Sequence, residues 1–504
     1  GGGGRGFMSL SPQFKEGRTF VSFYLSVDLG TTGCRSILFN ERLELLASAY
    51  EEYGLITPRE KYVEQDAELW WELTKKTLNC ALKKANTSPK EVKGISISSQ
   101  GITIVPVDKD INALSNAISW LDERAEKEIE CVKEIIGEQR LFLLTGKPAI
   151  SLYTLPKIMW MKENQPELYS SAYKLLMPMD FLIAKFTGEC VTDHSMASGT
   201  LLYDLKKGCW SEELLSSFSI DVDKLPSVTT SGKSVGCVKK SVALELGLSE
   251  DCIVAVGAQD QKCAALGAGL SDGVMTVSLG TAAAVTKLWD GAYTHINNGV
   301  GWCGYTEDGL YVTEGVINTA ATCLRYVRDL MFQGESYDVI DKEAAEARER
   351  GSSLLFFPYL SGASSPDFYK GSTGVFYGAG LGTVRADYAL AVMEGIAFSI
   401  RRMLEAMEAY GNVHTLVLFG GGAKSSFWSQ IIADVTGMKI EIPSTTEAAG
   451  AGAAMLAAKA AGDTLAPLEF SFEYEPSKLH EVYSKKYLKY RDLEKRMFDI
   501  EEAL

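Results

Sequence analysis

The sequence predicts an α/β protein built as two related domains with a cleft between them. Its 504 residues exceed what a single hydrophobic core organises, so two domains of roughly 200 to 250 residues are expected. Strand-like and helix-like patterns alternate along the chain, as is typical of α/β proteins. A strand, a Leu-Gly-Thr turn and a second strand occur at 24–39 and again at 274–288, which indicates two halves of common design.

The predicted domain order follows from that repeat. Residues 1–23 begin with four glycines and lack the regions of a signal peptide, so we expect a disordered leader outside the fold. Residues 24–268 are predicted to form the first domain and 269–490 the second. A terminal helix is expected over 491–504.

The first half opens with a predicted β-hairpin, because two β-rich runs flank the turn Leu29-Gly-Thr-Thr-Gly33. The other elements are predicted from hydrophobic periodicity and from Gly and Pro punctuation. In the first half they are helices at 67–85, 126–144 and 262–269 and strands at 92–98, 102–107 and 253–257. In the second half they are the hairpin at 274–288, a strand ending at Phe419 and helices at 427–436 and 448–460.

Composition excludes several classes of protein. With 46% hydrophobic and 23% charged residues, the chain has no run near the ~20 apolar residues of a membrane helix, so we expect no membrane partner. A net charge of −15 argues against nucleic acid, because phosphate backbones bind positive patches. The ten cysteines form no Cys-x-x-Cys pair and predict reduced thiols in a cytoplasmic protein. A homodimer stays open.

The two Gly-Thr turns, Asp28-Leu-Gly-Thr-Thr32 and Ser278-Leu-Gly-Thr281, suit phosphate binding. Glycine lets the backbone approach a phosphate, and the neighbouring N–H groups and threonine hydroxyls donate hydrogen bonds. Asp28 could hold Mg²⁺ through water. Each turn alone is also explained as a plain hairpin, since Gly and Thr are common in turns. The pairing of two such turns favours phosphate sites.

The triple glycine at 420–422, between a strand and a helix, is interpreted as a flat shelf for the adenosine part of ATP. A dinucleotide-binding fingerprint is the alternative, and Glu441 lies about 20 residues on, where a ribose-binding acid would stand. That fingerprint requires glycine at Ser425, and the segment follows the second phosphate-type turn. The adenosine interpretation is therefore preferred.

Asp260 stands where a predicted strand meets a predicted helix. A carboxylate there is stabilised as an anion by free N–H groups and the helix dipole, although an ordinary helix N-cap is the alternative explanation. Phosphoryl transfer needs Mg²⁺, donors around the γ-phosphate, and a carboxylate that orients and deprotonates the attacking hydroxyl. Asp28, Thr31, Thr281 and Asp260 could supply these parts.

From Tyr24 to about Leu456 these motifs resemble the FGGY carbohydrate kinases. The resemblance implies a two-domain actin-like, ribonuclease H-like ATPase fold with duplicated halves and an interdomain cleft, with ATP and Mg²⁺ as cofactors. It implies Asp260 as general base and Asp28 as the metal-binding residue. The ATP-binding residues that it implies are Thr31, Thr32, Arg35, Gly280, Thr281, Ala321, Gly421, Gly422, Ala423 and Ser426.

The resemblance also implies a small-molecule sugar as substrate. The residues placed around the sugar are Gln100, Gly101, Trp120, Asp122, Arg124, Asp260 and Gln261. Their polar groups suit hydroxyl recognition. However, Trp120 is equally explained as a core residue, and Arg124 as a surface partner of Glu123 or Glu126.

Within the family the pattern is most similar to the xylulose kinases, which implies transfer of the γ-phosphate to D-xylulose or a related pentulose at the 5-hydroxyl. Many xylulose kinases have Gln-Met-His-Gly where this chain has Gln100-Gly-Ile-Thr103. Another ketose, a polyol or a sugar acid, such as glycerol, ribulose, gluconate or an autoinducer, therefore stays open as substrate. An actin-like or chaperone-like nucleotide switch is the alternative outside the kinases.

Overall fold

The computed structural model describes residues 22–289 and 299–498. The strands in chain order are β1 (Phe23–Leu29), β2 (Gly33–Asn40), β3 (Leu45–Glu52), β4 (Glu64–Gln65), β5 (Val92–Ser99), β6 (Val105–Val107), β7 (Ala117–Ile118), β8 (Lys174–Leu176), β9 (Val191–Asp193), β10 (Tyr203–Asp204), β11 (Cys209–Trp210), β12 (Ser227–Thr229), β13 (Ser234–Cys237), β14 (Ile253–Ala255), β15 (Ala258–Gln259), β16 (Val274–Leu279), β17 (Ala283–Trp289), β18 (Gly301–Gly304), β19 (Tyr311–Ile317), β20 (Leu355–Phe357), β21 (Val375–Tyr377), β22 (Thr415–Phe419), β23 (Lys439–Pro443) and β24 (Phe470–Tyr474).

The helices in chain order are α1 (Ala67–Lys84), α2 (Glu126–Ile135), α3 (Glu138–Thr145), α4 (Thr154–Asn164), α5 (Pro166–Ser171), α6 (Pro178–Thr187), α7 (His194–Ser198), α8 (Glu212–Ser217), α9 (Lys240–Leu246), α10 (Asp260–Gly267), α11 (Ala321–Met331), α12 (Tyr337–Glu349), α13 (Arg385–Met407), α14 (Ser426–Thr436), α15 (Ala448–Ala460) and α16 (Leu479–Phe498). Short 3₁₀ turns span Pro89–Glu91, Val222–Lys224, Glu408–Tyr410 and Gly421–Lys424. None of the described helices is long and apolar enough to cross a bilayer.

Two large mixed sheets organise the chain, one in each half. The first has the order β13-β14-β5-β1-β2-β3, with β15 also pairing with β5, and the second has the order β18-β19-β17-β16-β22-β23-β24. Read from β3 in the first and from β19 in the second, six strands follow one another with the same sequence of parallel and antiparallel pairings. The prediction of an α/β fold with duplicated halves is confirmed.

This topology places the predicted turns at equivalent edges. In each half a hairpin strand, β1 or β16, lies parallel to a second strand, β5 or β22. The carboxyl ends of parallel strands meet at one edge of a sheet, where α/β proteins bind their ligands. The Gly-Thr turns follow β1 and β16, the triple glycine follows β22, and Asp260 follows β15, so all these motifs lie at such edges.

Helices α10 and α15 join the two halves at very short range. A Cβ on Gly267 would lie 1.9 Å from the carbonyl oxygen of Ala448, and a Cβ on Gly452 would lie 1.9 Å from that of Cys263. Only glycine, which lacks a Cβ, permits this approach. The two helices therefore cross with their backbones in direct contact.

Each of these helices also packs on the sheet of the opposite half. Ser26 on β1 donates a hydrogen bond to the carbonyl oxygen of Gly450 on α15 at 2.5 Å. On the other side, Ala264 of α10 and Ala268, the residue that follows α10, pack against Val417 of β22. The α10–α15 crossing is thus the point about which the two halves are arranged.

Several elements differ from their predicted bounds. The helix expected over 126–144 is divided into α2 and α3, because Gly137 between them has a φ of 84°, which breaks the helix. The strand expected over 102–107 is reduced to β6, since Ile102 has a φ of 71°. Phe23, which was expected in the leader, is the first residue of β1, and residues 1–21 of the expected leader lie outside the described residues. The C-terminal helix begins earlier than expected, at Leu479, and residues 499–504 lie outside the described residues.

The glycine crossing gives a first prediction. A glycine-to-alanine change inside a helix normally stabilises by about 0.5–1 kcal/mol. For Gly452→Ala we expect the opposite sign and a loss of about 1–3 kcal/mol, because the new Cβ would overlap the backbone of α10. Thermal unfolding should show a Tm lower by several degrees.

Gly54→Ala is the matched control, since no atom lies within 4 Å of its added Cβ. Its Tm should match that of the wild type. If Gly452→Ala is as stable as Gly54→Ala, the crossing does not require glycine.

Candidate active site

The turn between β1 and β2 has its carbonyl groups tied to the protein. Gln65 Nε2 donates to Thr31 O at 2.6 Å, and the Tyr53 hydroxyl donates to Gly30 O. The N–H groups of Thr31 and Thr32, by contrast, meet no acceptor among the described residues. A turn whose carbonyls are held and whose amides are free is suited to bind an anion.

Gln100 and Trp120 hold the first Gly-Thr turn through hydrogen bonds. Gln100 is buried and donates through Nε2 to Gln65 Oε1 at 2.7 Å, while its Oε1 accepts from Thr103 at 3.3 Å. Trp120 donates through Nε1 to the Thr31 hydroxyl at 2.9 Å. The structure therefore brings both residues to the cleft floor, where they fix the phosphate-type turn.

Asp122 and Arg124 form a buried bidentate ion pair. Nε and one Nη of Arg124 lie 2.9 and 2.8 Å from the two carboxylate oxygens of Asp122, and the guanidinium also bonds Glu64 at 2.8 Å. One face of the guanidinium covers the ring of Tyr62, with Cζ 4.0 Å from the ring centroid. The partners of Arg124 are thus Asp122 and Glu64 rather than Glu123 or Glu126. The polar groups of Asp122 and Arg124 already have hydrogen-bond partners within the first half. Their contact with a sugar stays a prediction.

Asp260 is the first residue of α10, and its carboxylate is held from one side. Oδ1 accepts hydrogen bonds from the N–H of Gln261 at 2.8 Å and from Nε2 of Gln259 at 2.5 Å. The N-cap itself is Gln259, whose side chain caps the Gln261 N–H, so the ordinary N-cap interpretation does not describe Asp260. Burial raises the pKa of Asp260 to about 6, although the Gln261 N–H and Lys262 lower it.

The turn before Asp260 is anchored by a buried carboxylate. Gln259 N–H donates to the Ser195 hydroxyl at 2.9 Å, which in turn donates to Asp193 at 2.6 Å. Asp193 lies fully buried at the end of β9. Gly101 lies beside the same turn, since its Cβ would be 3.2 Å from Cγ of Gln259. Asp193 and Ser195 therefore hold the backbone that precedes Asp260.

Asp28 lies opposite Ser98 in the β1–β5 register, and the Ser98 hydroxyl donates to its Oδ1 at 3.2 Å. Burial raises the pKa of Asp28 to about 7, and the charge of Asp260 raises it further. Arg35, which faces Asp28 across the hairpin, lowers that pKa and approaches Glu447 at 3.9 Å. Two carboxylates near one another in the cleft are a place where a cation is favoured.

The donor set fits Mg²⁺ only in part. Mg²⁺ commonly takes one or two carboxylates and completes its shell with water and phosphate oxygens. In the described parts of the chain no three His, Cys, Asp or Glu side chains converge to hold a metal. Asp28 therefore fits a magnesium ion that arrives with a phosphate, and does not fit an all-protein metal cage.

Lys262 follows Asp260 by two residues on α10 and makes a contact that the sequence analysis did not predict. Its Nζ is 2.6 Å from Oε2 of Glu314 on β19, in the other half. Lys147 Nζ is 3.3 Å from Oε1 of Glu314 and 2.9 Å from Sγ of Cys303. No local pattern links these residues, because they come from four separate segments.

The second Gly-Thr turn is enclosed by the start of α11 and by the triple glycine. The Ala321 N–H donates to Gly280 O at 2.9 Å. Gly422 packs so closely on Leu279 that a Cβ there would lie 2.6 Å from the leucine Cγ. Within the described residues the N–H of Thr281 has no protein acceptor. This turn thus repeats the free amides of the first.

A cavity of about 520 Å³ opens beside the second turn, a size suited to a cofactor or nucleoside. Four residues predicted to bind ATP line it: Ala321, Gly421, Gly422 and Ser426. Ala423 is buried and does not line it.

The ion pair between Asp122 and Arg124 gives a prediction that distinguishes a structural role of Arg124 from a contact with the sugar. For Arg124→Met we expect a loss of about 3–5 kcal/mol of stability, because Asp122 would stay buried without its partner. Denaturant unfolding measures the effect. Arg140→Met, in an exposed pair with Glu213, should cost at most about 1 kcal/mol. An Arg124→Met protein with unchanged stability and a raised KM for sugar would instead place Arg124 in the sugar site.

Two domain families match the chain. The N-terminal domain of the FGGY family of carbohydrate kinases matches residues 23–267, and the C-terminal domain matches residues 271–461. The chain is 32% identical over 445 residues to the xylulose kinase of Bacillus subtilis (strain 168), with 88% of this chain and 89% of that protein covered. It is 29% identical over 440 residues to the xylulose kinase of Staphylococcus xylosus, with 87% and 91% covered.

A solved structure shows the same architecture over nearly the whole length. The crystal structure of "a xyloylose kinase from Brucella ovis" has a TM-score of 0.86 and 28% identity, and 95% of this chain and 100% of that chain are covered. The two family domains together match residues 23–267 and 271–461, which is most of the chain. The chain belongs to the FGGY family of carbohydrate kinases.

Proposed function

We propose that this ATP-dependent carbohydrate kinase transfers the γ-phosphate to a hydroxyl of a small ketose, D-xylulose or a related pentulose at the 5-hydroxyl, with Asp260 as general base. The observation that carries the proposal is the position of the Asp260 carboxylate, fixed at the start of α10 and near Asp28. A base for phosphoryl transfer must lie within hydrogen-bond reach of the acceptor hydroxyl while that hydroxyl faces the γ-phosphate.

The chemistry of Asp260 fits a general base. Both of its hydrogen bonds from protein donors fall on Oδ1, which leaves Oδ2 to accept the proton of a substrate hydroxyl. A pKa of about 6 leaves the group ionised near neutral pH and more basic than an ordinary aspartate. Because Asp193 and Ser195 hold the preceding turn, the carboxylate is oriented before the sugar binds.

The free amides supply the phosphate contacts of the proposal. Thr31 and Thr32 in the first turn and Thr281 in the second have N–H groups without protein acceptors. These groups and Arg35 would donate to phosphate oxygens, and Gly280, which has no side chain, would let the backbone approach them. The cavity lined by Gly421, Gly422 and Ser426 would take the adenosine. Asp28 would hold Mg²⁺, which neutralises charge that develops on the transferred phosphate.

Closure of the cleft completes the proposed site. The phosphate-type turns belong to different halves, and the halves meet at the α10–α15 crossing. Rotation about that crossing would bring the two turns together and exclude water, which limits hydrolysis of ATP. Gln261 and Gly101, beside Asp260, would contact the sugar.

The identity of the sugar rests on the relatives, which are named xylulose kinases. Gly101 and Ile102 replace the Met-His pair that many xylulose kinases have, so other ketoses, polyols and sugar acids are included in the test. A coupled assay of ADP release over pentuloses, hexuloses, polyols and aldonic acids should show stimulation by a pentulose. Stimulation by a sugar acid alone would reassign the substrate.

The base gives the next prediction. Asp260→Asn should lower kcat by about 10²–10⁴-fold, because an amide cannot accept the hydroxyl proton. Sugar-stimulated ADP release measures the effect, and an unchanged Tm confirms the fold. Asp329→Asn, an exposed aspartate paired with Arg328, is the control and should keep full activity. If Asp260→Asn still transfers phosphate at the wild-type rate, Asp260 is not the base.

The raised pKa predicts the acid side of the pH profile. Asp260 must be ionised to accept a proton, so activity is present above its pKa and falls as the pH drops through about 6. A plot of kcat/KM against pH should bend near that value rather than near 4, the range of an unperturbed aspartate. A profile that stays flat down to about pH 5 contradicts this assignment.

A further inference from the structure

We propose that Lys262 and Glu314 are a positioning pair that ties α10, the helix that begins with Asp260, to β19, the strand whose following residues contact the second Gly-Thr turn. The inference rests on the proposed role of Asp260, and it adds two residues that sequence motifs do not indicate. Neither residue is assigned a contact with sugar or nucleotide. Their role is to fix the position of Asp260 relative to the γ-phosphate that the sugar hydroxyl attacks.

The contact itself joins the two halves. Lys262 Nζ lies 2.6 Å from Glu314 Oε2, and Lys262 is 4% exposed. Lys262 follows Asp260 by two residues in the first turn of α10, so the lysine and the base move as one unit. Glu314 lies in the middle of β19, where Thr286 of β17 is its register partner.

The residues that follow strand β19 contact the second Gly-Thr turn. It ends at Ile317, and the next residues reach Ala320 and Ala321, whose N–H groups donate to Thr281 O and Gly280 O at 2.9 Å each. A continuous, hydrogen-bonded path therefore runs from Asp260 through the Lys262–Glu314 pair to the second Gly-Thr turn.

Both oxygens of Glu314 are occupied by groups from around the cleft. Lys147 Nζ, from the loop after α3, lies 3.3 Å from Oε1, and the Cys303 thiol donates to the same oxygen at 3.3 Å. Two lysines of the first half thus converge on one carboxylate of the second. An exposed ion pair contributes little, but a buried pair with satisfied oxygens holds a defined geometry.

The pair also sets the charge around the base. Asp260 is faced by Lys262 on its own helix and by Glu314 of β19, with Lys147 and Cys303 behind them. From the other side it is faced by Asp28 of β1, beyond which lie Arg35 of β2 and Glu447 before α15. Lys262 stabilises the ionised form of Asp260 and lowers its pKa, whereas Glu314 raises it. The two partners therefore act on the base in opposite directions.

Because Lys262 and Glu314 shift the pKa of Asp260 in opposite directions, the pH profiles of their variants distinguish a positioning role from a purely structural one. In the pH profile of kcat/KM, Lys262→Met should move the acid limb upward by about one pH unit, and Glu314→Gln should move it downward by about one. Both variants should lower kcat more than they change the KM for ATP. Lys127→Met and Glu163→Gln, from an exposed pair of 2.9 Å, are matched controls with the wild-type profile.

Loss of a buried charge can prevent folding, so Lys262→Arg provides a second readout. It keeps the charge and can reach Glu314, and it should retain the acid limb of the wild type with most of its kcat. The inference is overturned if Lys262→Met and Glu314→Gln shift the limb in the same direction or leave it in place, or if Lys262→Arg shifts it as Lys262→Met does. Failure of the proposed function is seen separately, as full activity of Asp260→Asn.

Discussion

The contact between α10 and α15 is the constraint on which the rest of the structure depends. Gly267 and Gly452 let the two helix backbones touch, and each helix packs on the sheet of the opposite half. Asp260 stands at the start of α10, and α15 begins beside Glu447, which approaches Arg35. The same crossing therefore connects the halves and brings the ends of both helices to the cleft.

Charge distribution in the cleft follows from this arrangement. Asp28 lies on β1 and Asp260 at the start of α10, and the charge of Asp260 makes ionisation of Asp28 less favourable. A bound cation would relieve this repulsion, because its positive charge favours the ionised form of both carboxylates. Lys262 and Lys147 both pair with Glu314, so this cluster has one more positive than negative charge. The cleft thus carries an acidic side at Asp28 and Asp260 and a net positive cluster at the contact with the second half.

Much of the fold was predictable because it is local. The hairpins around Gly30 and Gly280, the helix at 67–84 and the helix at 448–460 follow from strand alternation, turn residues and periodicity, which short segments display by themselves. The break at Gly137 and the shortened strand after Ile102 were not predicted. Both depend on backbone conformations with positive φ that a hydrophobic pattern does not record.

By itself the sequence determined the α/β class, the duplicated halves, the family and the motif residues, because each is written in contiguous residues whose chemistry is local. Tertiary structure decided which polar groups are already used. Asp122 and Arg124 pair with each other, Gln100 supports a turn, and Lys262 meets Glu314 across the halves. Asp122 and Arg124 are near neighbours in the chain, but the partners of Gln100 and Lys262 are distant, and only packing brings those within the few ångströms over which hydrogen bonds and ion pairs act.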